Sequence, residues 1–480
     1  MKSNSKPRPT DGTRTNRRSF LQRTAATAAT FSIVPGYVLG LRGQTPPSSK
    51  LNIAAVGIGG MGRNYLDGCK AEKIVALCDV DHNYSAKVFD TYPTARRYHD
   101  YREMFDQEAK NFDALIIATP DHMHAILLMA AIRMKKHIYC AKPIAHSIGE
   151  VRKVREALLA AKGLVTKGSI QDSRTDYSRS STEILNTGVL GPIREIHIWT
   201  FHPIYPAGLV RPTETQTPPP GMDWDMWIGP APYRPYHKTY HPANWRAWWD
   251  FGTADVGDMG CHTLHTYFEE LQLHAPSVIY GYRSTRYEDI SKQTPTPETE
   301  GIANMVFWEY PARGSMPPLK MHFYDGGMKP FRPAELDRNI PMPNEGVLFI
   351  GDNGKLITSY YGGNPFAPFG RTPAAGAPRA LAGGLLLPAS KFKDFQQPPK
   401  TLPRCERPDH YTEWTRCCKQ GTPTMLPIDF ACQLTEVALL GTLALRTEKL
   451  LEWDSKSMRV TNDAGADKWV SPPYRAGWTL

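Results

Sequence analysis

An apolar run, Leu51–Val56, ends in Gly57-Ile58-Gly59-Gly60-Met61-Gly62 and passes into a helical pattern from Arg63 to Cys69. Strand, glycine turn, helix is the opening of a doubly wound α/β sheet, and it constrains this chain more than any other feature. Gly57 permits the tight turn. Gly59 lets a pyrophosphate approach the backbone, and Gly62 lets the helix pack against the strand with its N-terminus facing the phosphates. Ile58, Gly60 and Met61 complete the phosphate loop. A second strand, Ile74–Cys78, ends at Asp79, 20 residues after Gly59. A carboxylate at that spacing bonds the ribose hydroxyls of NAD and repels a 2′-phosphate, so NAD is expected over NADP.

Asp113–Ala118 reads as another buried strand. It stops at Thr119-Pro120-Asp121-His122 and is followed by an apolar helix, Ala125–Met134. A further strand, His137–Cys140, leads to Ala141-Lys142-Pro143. Ligands of such sheets lie at the C-terminal strand ends, where Pro120, Asp121 and Lys142 fall.

The string from Ala118 to Ala125, the helix, and the string from Lys135 to Pro143 resemble the glucose–fructose oxidoreductase/inositol dehydrogenase/MocA (Gfo/Idh/MocA) family. Members usually have Asn where this chain has Asp121, and Glu where it has Ala141. The second difference removes a carboxylate beside Lys142. The resemblance covers residues 51–460 and is nearest to an exported, longer branch. It implies an N-terminal dinucleotide-binding domain followed by an α+β domain with a largely antiparallel open sheet, the second domain contributing substrate and subunit contacts. Thr119, Pro120, His124 and Lys142 are carried over as cofactor contacts, and Gln171, in Gly168-Ser169-Ile170-Gln171, as a substrate contact.

Asp258-Met259-Gly260-Cys261-His262 follows a glycine-rich approach and matches the family's second catalytic motif. On a helix Asp258 and His262 share a face, so the carboxylate is expected to orient the imidazole as a general base. His265, one turn on, is a candidate substrate contact. Lys142, Asp258 and His262 are the expected catalytic residues, with His262 taking the hydroxyl proton and Lys142 stabilising the developing alkoxide as a cation. Asp258 and His262 could also form a metal pair, but no third ligand has a sequence signature and no metal is expected.

Five of the eleven tryptophans, Trp224, Trp227, Trp245, Trp248 and Trp249, lie in a loop over 203–250. Their spacing fits neither a helix face nor a strand. Either the rings pin the loop by packing, or some of them, Trp248 and Trp249 first, stack on a sugar. The segments 203–250 and 360–405 show few regular elements. Phe430–Leu451 reads as a long apolar helix of structural role.

The net charge of +10 suggests nucleic acid until its distribution is seen. Residues 1–42 hold eight Lys/Arg against Asp11, leaving about +3 for the rest, so no nucleic-acid partner is expected. Asn16-Arg17-Arg18-Ser19-Phe20-Leu21-Gln22, followed by a weakly apolar stretch from Ala25 to Leu39, resembles a twin-arginine export signal. It implies a periplasmic or extracytoplasmic protein, exported folded with its cofactor, without a permanent membrane anchor. The eight cysteines are scattered, without zinc spacing. The expected organisation is a signal segment (1–40), an NAD-binding domain (41–170), a substrate and oligomerisation domain (171–430), and a C-terminal helix and tail (431–480). A homo-oligomer through the second sheet is implied by the resemblance.

The expected activity is NAD(P)-dependent hydride transfer from a secondary carbinol of a sugar. An epimerase or an NAD-dependent glycoside hydrolase working by transient oxidation stays open, as does a non-catalytic sugar-binding protein on the same fold.

Overall fold

A computed structural model describes residues 49–170, 174–368, 372, 377–405 and 410–480. The expected export signal, residues 1–40, and the expected substrate contact Gln171 lie outside the described residues. The chain divides into two units, Met1–Lys50 and Leu51–Leu480, and the described sheets lie within the second.

That unit begins with alternating strands and helices: β1 (Asn52–Val56), α1 (Met61–Gly68), β2 (Lys73–Cys78), α2 (Ala86–Thr91), β3 (Arg96–Tyr98), α3 (Tyr101–Glu108), β4 (Ala114–Ile117), α4 (His124–Arg133), β5 (His137–Ala141), α5 (Ile148–Ala160) and β6 (Thr166–Ser169). Among the described residues the six strands form one parallel sheet in the order β3-β2-β1-β4-β5-β6. Helices cover both faces, which is why the strands read as unbroken apolar runs. In β1, Ile53 and Ala55 enter one core, whereas Ala54 and Val56 enter the other. The strand order reverses between β1 and β4, so a crevice opens at their C-terminal ends.

The chain continues through α6 (Asp176–Asn186), β7 (Ile193–Trp199), α7 (Trp224–Ile228), α8 (Ala254–Asp258), α9 (Gly260–Leu264), β8 (Val278–Arg283), the hairpin β9 (Arg286–Asp289) and β10 (Lys292–Thr294), β11 (Asn304–Tyr310), β12 (Leu319–Tyr324), β13 (Gly346–Gly351), β14 (Gly354–Thr358) and β15 (Leu385–Leu387). It ends with α10 (His410–Gln420), α11 (Ile428–Thr447), β16 (Leu451–Asp454), β17 (Arg459–Val460) and α12 (Ala464–Asp467). The second sheet has nine described strands, ordered β15-β14-β13-β7-β12-β11-β8-β16-β17. It is mixed: β7 and β12 run parallel, and the other pairs are antiparallel.

Helix α11 is long and apolar enough to cross a membrane, but 83% of its apolar window is buried inside the protein. It packs where the two sheets meet. Thr435 Oγ1 accepts a bond from the Ile144 amide, and Arg152 of α5 pairs with Glu436. On the other side, Trp308 of β11 donates its indole N–H to Val437 O at 3.0 Å. The loop after β7 is pinned by its own aromatic core, in which Trp224 and Trp227 stack at 4.7 Å between ring centres.

Candidate active site

The crevice is a cavity of about 780 Å³ running from the glycine loop to the helices α8 and α9. Its first wall is local sequence. Gly57 has φ +78°, and a Cβ there would lie 2.6 Å from the Thr119 amide nitrogen. A Cβ on Gly62 would lie 2.0 Å from Gly57 O, so this glycine permits close packing of α1 and does not itself face the cavity. Gly60 caps α1, with no side chain accepting the first N–H groups of the helix. Gly57, Gly59, Gly60 and Met61 line the cavity. Ile58 does not: its side chain is buried in the core, and only its amide serves the site.

Asp79 ends β2 and lines the same cavity. Its Oδ2 accepts from the amides of Ile58 at 2.8 Å and Gly59 at 3.0 Å, and its Oδ1 from the amide of Asp81 at 3.0 Å. Burial nevertheless pushes its carboxyl above the ordinary range. The carboxylate thus shapes the glycine loop and keeps acceptor capacity on the cavity side. Thr119 and Pro120 line the cavity at the end of β4, where Thr119 Oγ1 is buried without a protein partner. A glycine cradle, free helix N–H groups, an acceptor at the β2 end and an orphaned hydroxyl together suit a dinucleotide.

His124 is not a cavity residue. It is fully buried, with Nδ1 2.7 Å from Pro143 O and Nε2 2.8 Å from Thr119 O. It ties the end of β4 to the segment carrying Lys142 and so positions both.

Lys142, Asp258 and His262 converge on the far side of the cavity. Lys142 forms an ion pair with Asp258. Burial, reinforced by the nearby Arg246 guanidinium, lowers the Lys142 ammonium to about 8. Helices α8 and α9 meet at Met259, which keeps helical dihedrals (φ −88°, ψ −30°), and Asp258 and His262 both line the cavity. Asp258 meets the cations Lys142 and Arg246, the latter at 3.3 Å. His262 is buried, with the Tyr361 ring edge-on at 5.9 Å. Asp121, which replaces the family's Asn, accepts from Thr253 Oγ1 at 2.9 Å and is also raised by burial.

Three further expectations change. Trp248 and Trp249 are 0% and 3% exposed, and neither lines the cavity. Trp248 packs on Tyr240 and under Arg234, and Trp249 joins the main core, because their backbone directs the rings inward. His265 is fully buried away from the cavity, and burial pushes it down to about 3. It packs and does not reach substrate. Other residues of the loop line the cavity, Trp227, His241, Trp245 and Arg246 among them. The loop is hung on the end of β4 by His122, whose Nε2 lies 3.0 Å from Trp227 O, and on the end of β2 by an Asp81–His241 bond of 2.9 Å. Sequence reasoning missed Arg246, His202 and Tyr361. For Arg246 the signal was a cation directly beside a tryptophan in sequence, and its guanidinium lies 4.4 Å from the Trp245 ring centre.

Residues 51–169 match the model of an oxidoreductase family's NAD-binding Rossmann fold, and residues 198–273 match that of the same family's C-terminal alpha/beta domain. These two segments are similar to the two domains of the Gfo/Idh/MocA oxidoreductase family. Inositol 2-dehydrogenase of Salmonella typhimurium is 29% identical over 153 residues, 31% of this chain and 45% of that protein. The Azotobacter vinelandii enzyme of the same name is 27% identical over 153 residues, 31% of this chain and 44% of its own length. The chain therefore matches less than half the length of these curated relatives. Among solved structures, the WlbA dehydrogenase of Bordetella pertussis, in complex with NADH and UDP-GlcNAcA, superposes with TM-score 0.54 at 13% identity, covering 84% of this chain and 99% of that one. An inositol dehydrogenase homologue of Azotobacter vinelandii, complexed with NADH and myo-inositol, gives 0.53 at 16% identity, covering 84% and 98%. At these identities the superpositions establish the fold, a Rossmann domain followed by an alpha/beta domain with a mixed sheet.

Proposed function

We propose that this chain is a Gfo/Idh/MocA-type oxidoreductase that oxidises a secondary carbinol of a sugar, cyclitol or glycoside, with NAD preferred over NADP. The observation that carries this reading is the convergence of Lys142, Asp258 and His262 on one cavity with the glycine loop and Asp79. Relatives named as inositol dehydrogenases, and a neighbour complexed with NADH and a nucleotide sugar, support a polyhydroxylated substrate. The preference for NAD rests on Asp79, whose carboxylate would repel a 2′-phosphate.

A bound NAD supplies the hydride acceptor. The chain's own residues manage the proton. Lys142, lowered to about 8, is poised to give up its proton near neutrality and then accept one from the substrate hydroxyl. It takes the acceptor role that sequence alone assigns to His262, and His262 becomes the second hydrogen-bond partner of the reacting oxygen. Asp258 holds the lysine side chain toward the cavity, and Arg246 repels excess positive charge from it. The walls contributed by Trp227, Trp245 and Tyr361 give a ring-shaped substrate flat apolar surfaces.

A redox-neutral variant of the same chemistry is favoured by the twin-arginine sequence Asn16–Gln22. A protein exported folded, to the periplasm or beyond, works where free NAD is scarce, so a retained cofactor would be reduced and reoxidised within one cycle. Epimerisation and glycoside cleavage by transient oxidation both satisfy that condition. The test is incubation of the purified protein, with and without added NAD, with a panel of cyclitols, free sugars and glycosides, products being read by mass. Loss of two hydrogens supports the dehydrogenase, and hydrolysis or isomerisation without added NAD supports the redox-neutral form. No turnover, with no nicotinamide dinucleotide released by acid extraction and no micromolar affinity for one, overturns the enzymatic reading.

A further inference from the structure

Away from the cavity, the second sheet brings His322 to a pair of residues, Glu195 and His197, that lies far from it in sequence. Glu195 and His197 are two apart on β7 and so leave the strand on one face. Ile196 and Ile198 leave on the other and are buried in the core. Strand β12 pairs with β7 in parallel, in a register that sets His322 beside His197. The two imidazoles lie 4.3 Å apart between ring centres, tilted by 32°.

One phenol addresses both rings from the same side. Tyr324 Oη lies 3.2 Å from His197 Nδ1 and 3.4 Å from His322 Nδ1. With both Nδ1–H groups donating to that oxygen, the two Nε2 lone pairs are left as ligands, the arrangement by which outer partners orient metal-binding histidines. His322 Nε2 is buried and has no partner. His197 Nε2 lies 3.1 Å from Glu195 Oε2. One ligand atom from each of the three residues falls within 4.8 Å of the others. Zinc bonds of about 2.0–2.2 Å need tetrahedral ligand atoms roughly 3.3 Å apart, a distance small side-chain rotations supply.

We propose that Glu195, His197 and His322 form a three-ligand site for a borderline divalent transition metal, best matched by Zn²⁺, clamping β7 to β12. Two imidazoles and a carboxylate are the donor set that suits this class and not Mg²⁺ or Ca²⁺. The Glu195 side chain is 44% exposed, so the fourth position opens to water. Burial lowers both histidines, His322 to about 3, so both are neutral and able to coordinate at physiological pH. None of the three lines the catalytic cavity, so the site is independent of the proposed reaction.

The test uses the full chain, stripped with a chelator and titrated with Zn²⁺ by calorimetry, with thermal melting in parallel. One equivalent per chain should bind with submicromolar affinity and raise the melting temperature. His197→Gln with His322→Gln should lose that equivalent, affinity falling at least about 100-fold, while NAD binding stays unchanged. Tyr324→Phe should weaken binding by about 10–100-fold, as loss of an outer partner does. If the double variant does not fold, Glu195→Gln, a half-exposed change, should lower affinity while the metal-free melting temperature stays that of the parent. Absence of a submicromolar equivalent in the parent chain, or its full retention in the substituted chains, overturns the proposal.

Discussion

Arg246 Nε lies 3.3 Å from Asp258 Oδ2, so its guanidinium shares with Lys142 a single carboxylate. Two cations on one anion leave a surplus positive charge, and this acts with burial to hold Lys142 near 8. Arg246→Gln removes the surplus. The Lys142 ammonium should then be harder to deprotonate, and the alkaline rise of kcat, near pH 8 in the parent, should move to higher pH with cofactor affinity unchanged. A profile that stays in place would detach Arg246 from the lysine. A parent profile that falls through pH 8 would return Lys142 to the cationic role and His262 to that of base.

Lys142→Met and His262→Asn each remove a group at the reacting end of the cavity, far from the glycine loop. Turnover should drop by ~10²–10⁴-fold, the usual contribution of a proton-transfer group. NAD binding, followed by calorimetry, should survive in both. Losses below tenfold in both variants would place the chemistry elsewhere.

Trp248 and Trp245 are close in sequence but differ in what they touch. Trp248 is enclosed by Tyr240, Phe251 and Arg234. Its replacement by Ala should cost ~3–5 kcal/mol of stability and lower the melting temperature without changing KM in the folded fraction. Trp245 borders the cavity under Arg246. Trp245→Ala should raise KM for the substrate more than it weakens NAD binding. A raised KM in Trp248→Ala, with Trp245→Ala unchanged, would reverse the assignment.

Glu300 sits fully buried beside Asp255 and Asp325, accepting from the Asp255 amide at 2.9 Å. Burial raises its carboxyl from 4.5 to about 7. The folded protein thus keeps a proton there that the unfolded chain has already released. The group's contribution to stability is full below about pH 4.5 and is lost as pH climbs through about 7. Glu300→Gln stays neutral throughout, so its melting temperature relative to the parent should improve between about pH 5 and about pH 8. An equal difference at both values would show that Glu300 is already ionised at the lower one.

The Rossmann half was legible because its signals are local. Gly57, Gly62 and Asp79 act within one βαβ unit, where neighbours in sequence are neighbours in space. The same holds for α11, whose apolar run announces a buried helix. Strands β8 to β15 gave no comparable signal: they are short, long connections separate β12 from β13 and β14 from β15, and the pairing leaves sequence order, with β7 between β13 and β12. His124 was placed at the site by the family resemblance, and His265, Trp248 and Trp249 by residue type and position, yet each faces inward.

The sequence by itself determined the dinucleotide cradle, the strand ends that carry Thr119 and Lys142, and the motif that carries Asp258 and His262. Those are matters of backbone conformation and spacing, which a short segment encodes alone. The tertiary structure decided which rings meet the cavity, that Asp258 meets Lys142 and Arg246, and that His322 stands beside Glu195 and His197. Each of these depends on a side chain's direction relative to an element distant in the chain, and only the packing of the two sheets around α11 sets that direction.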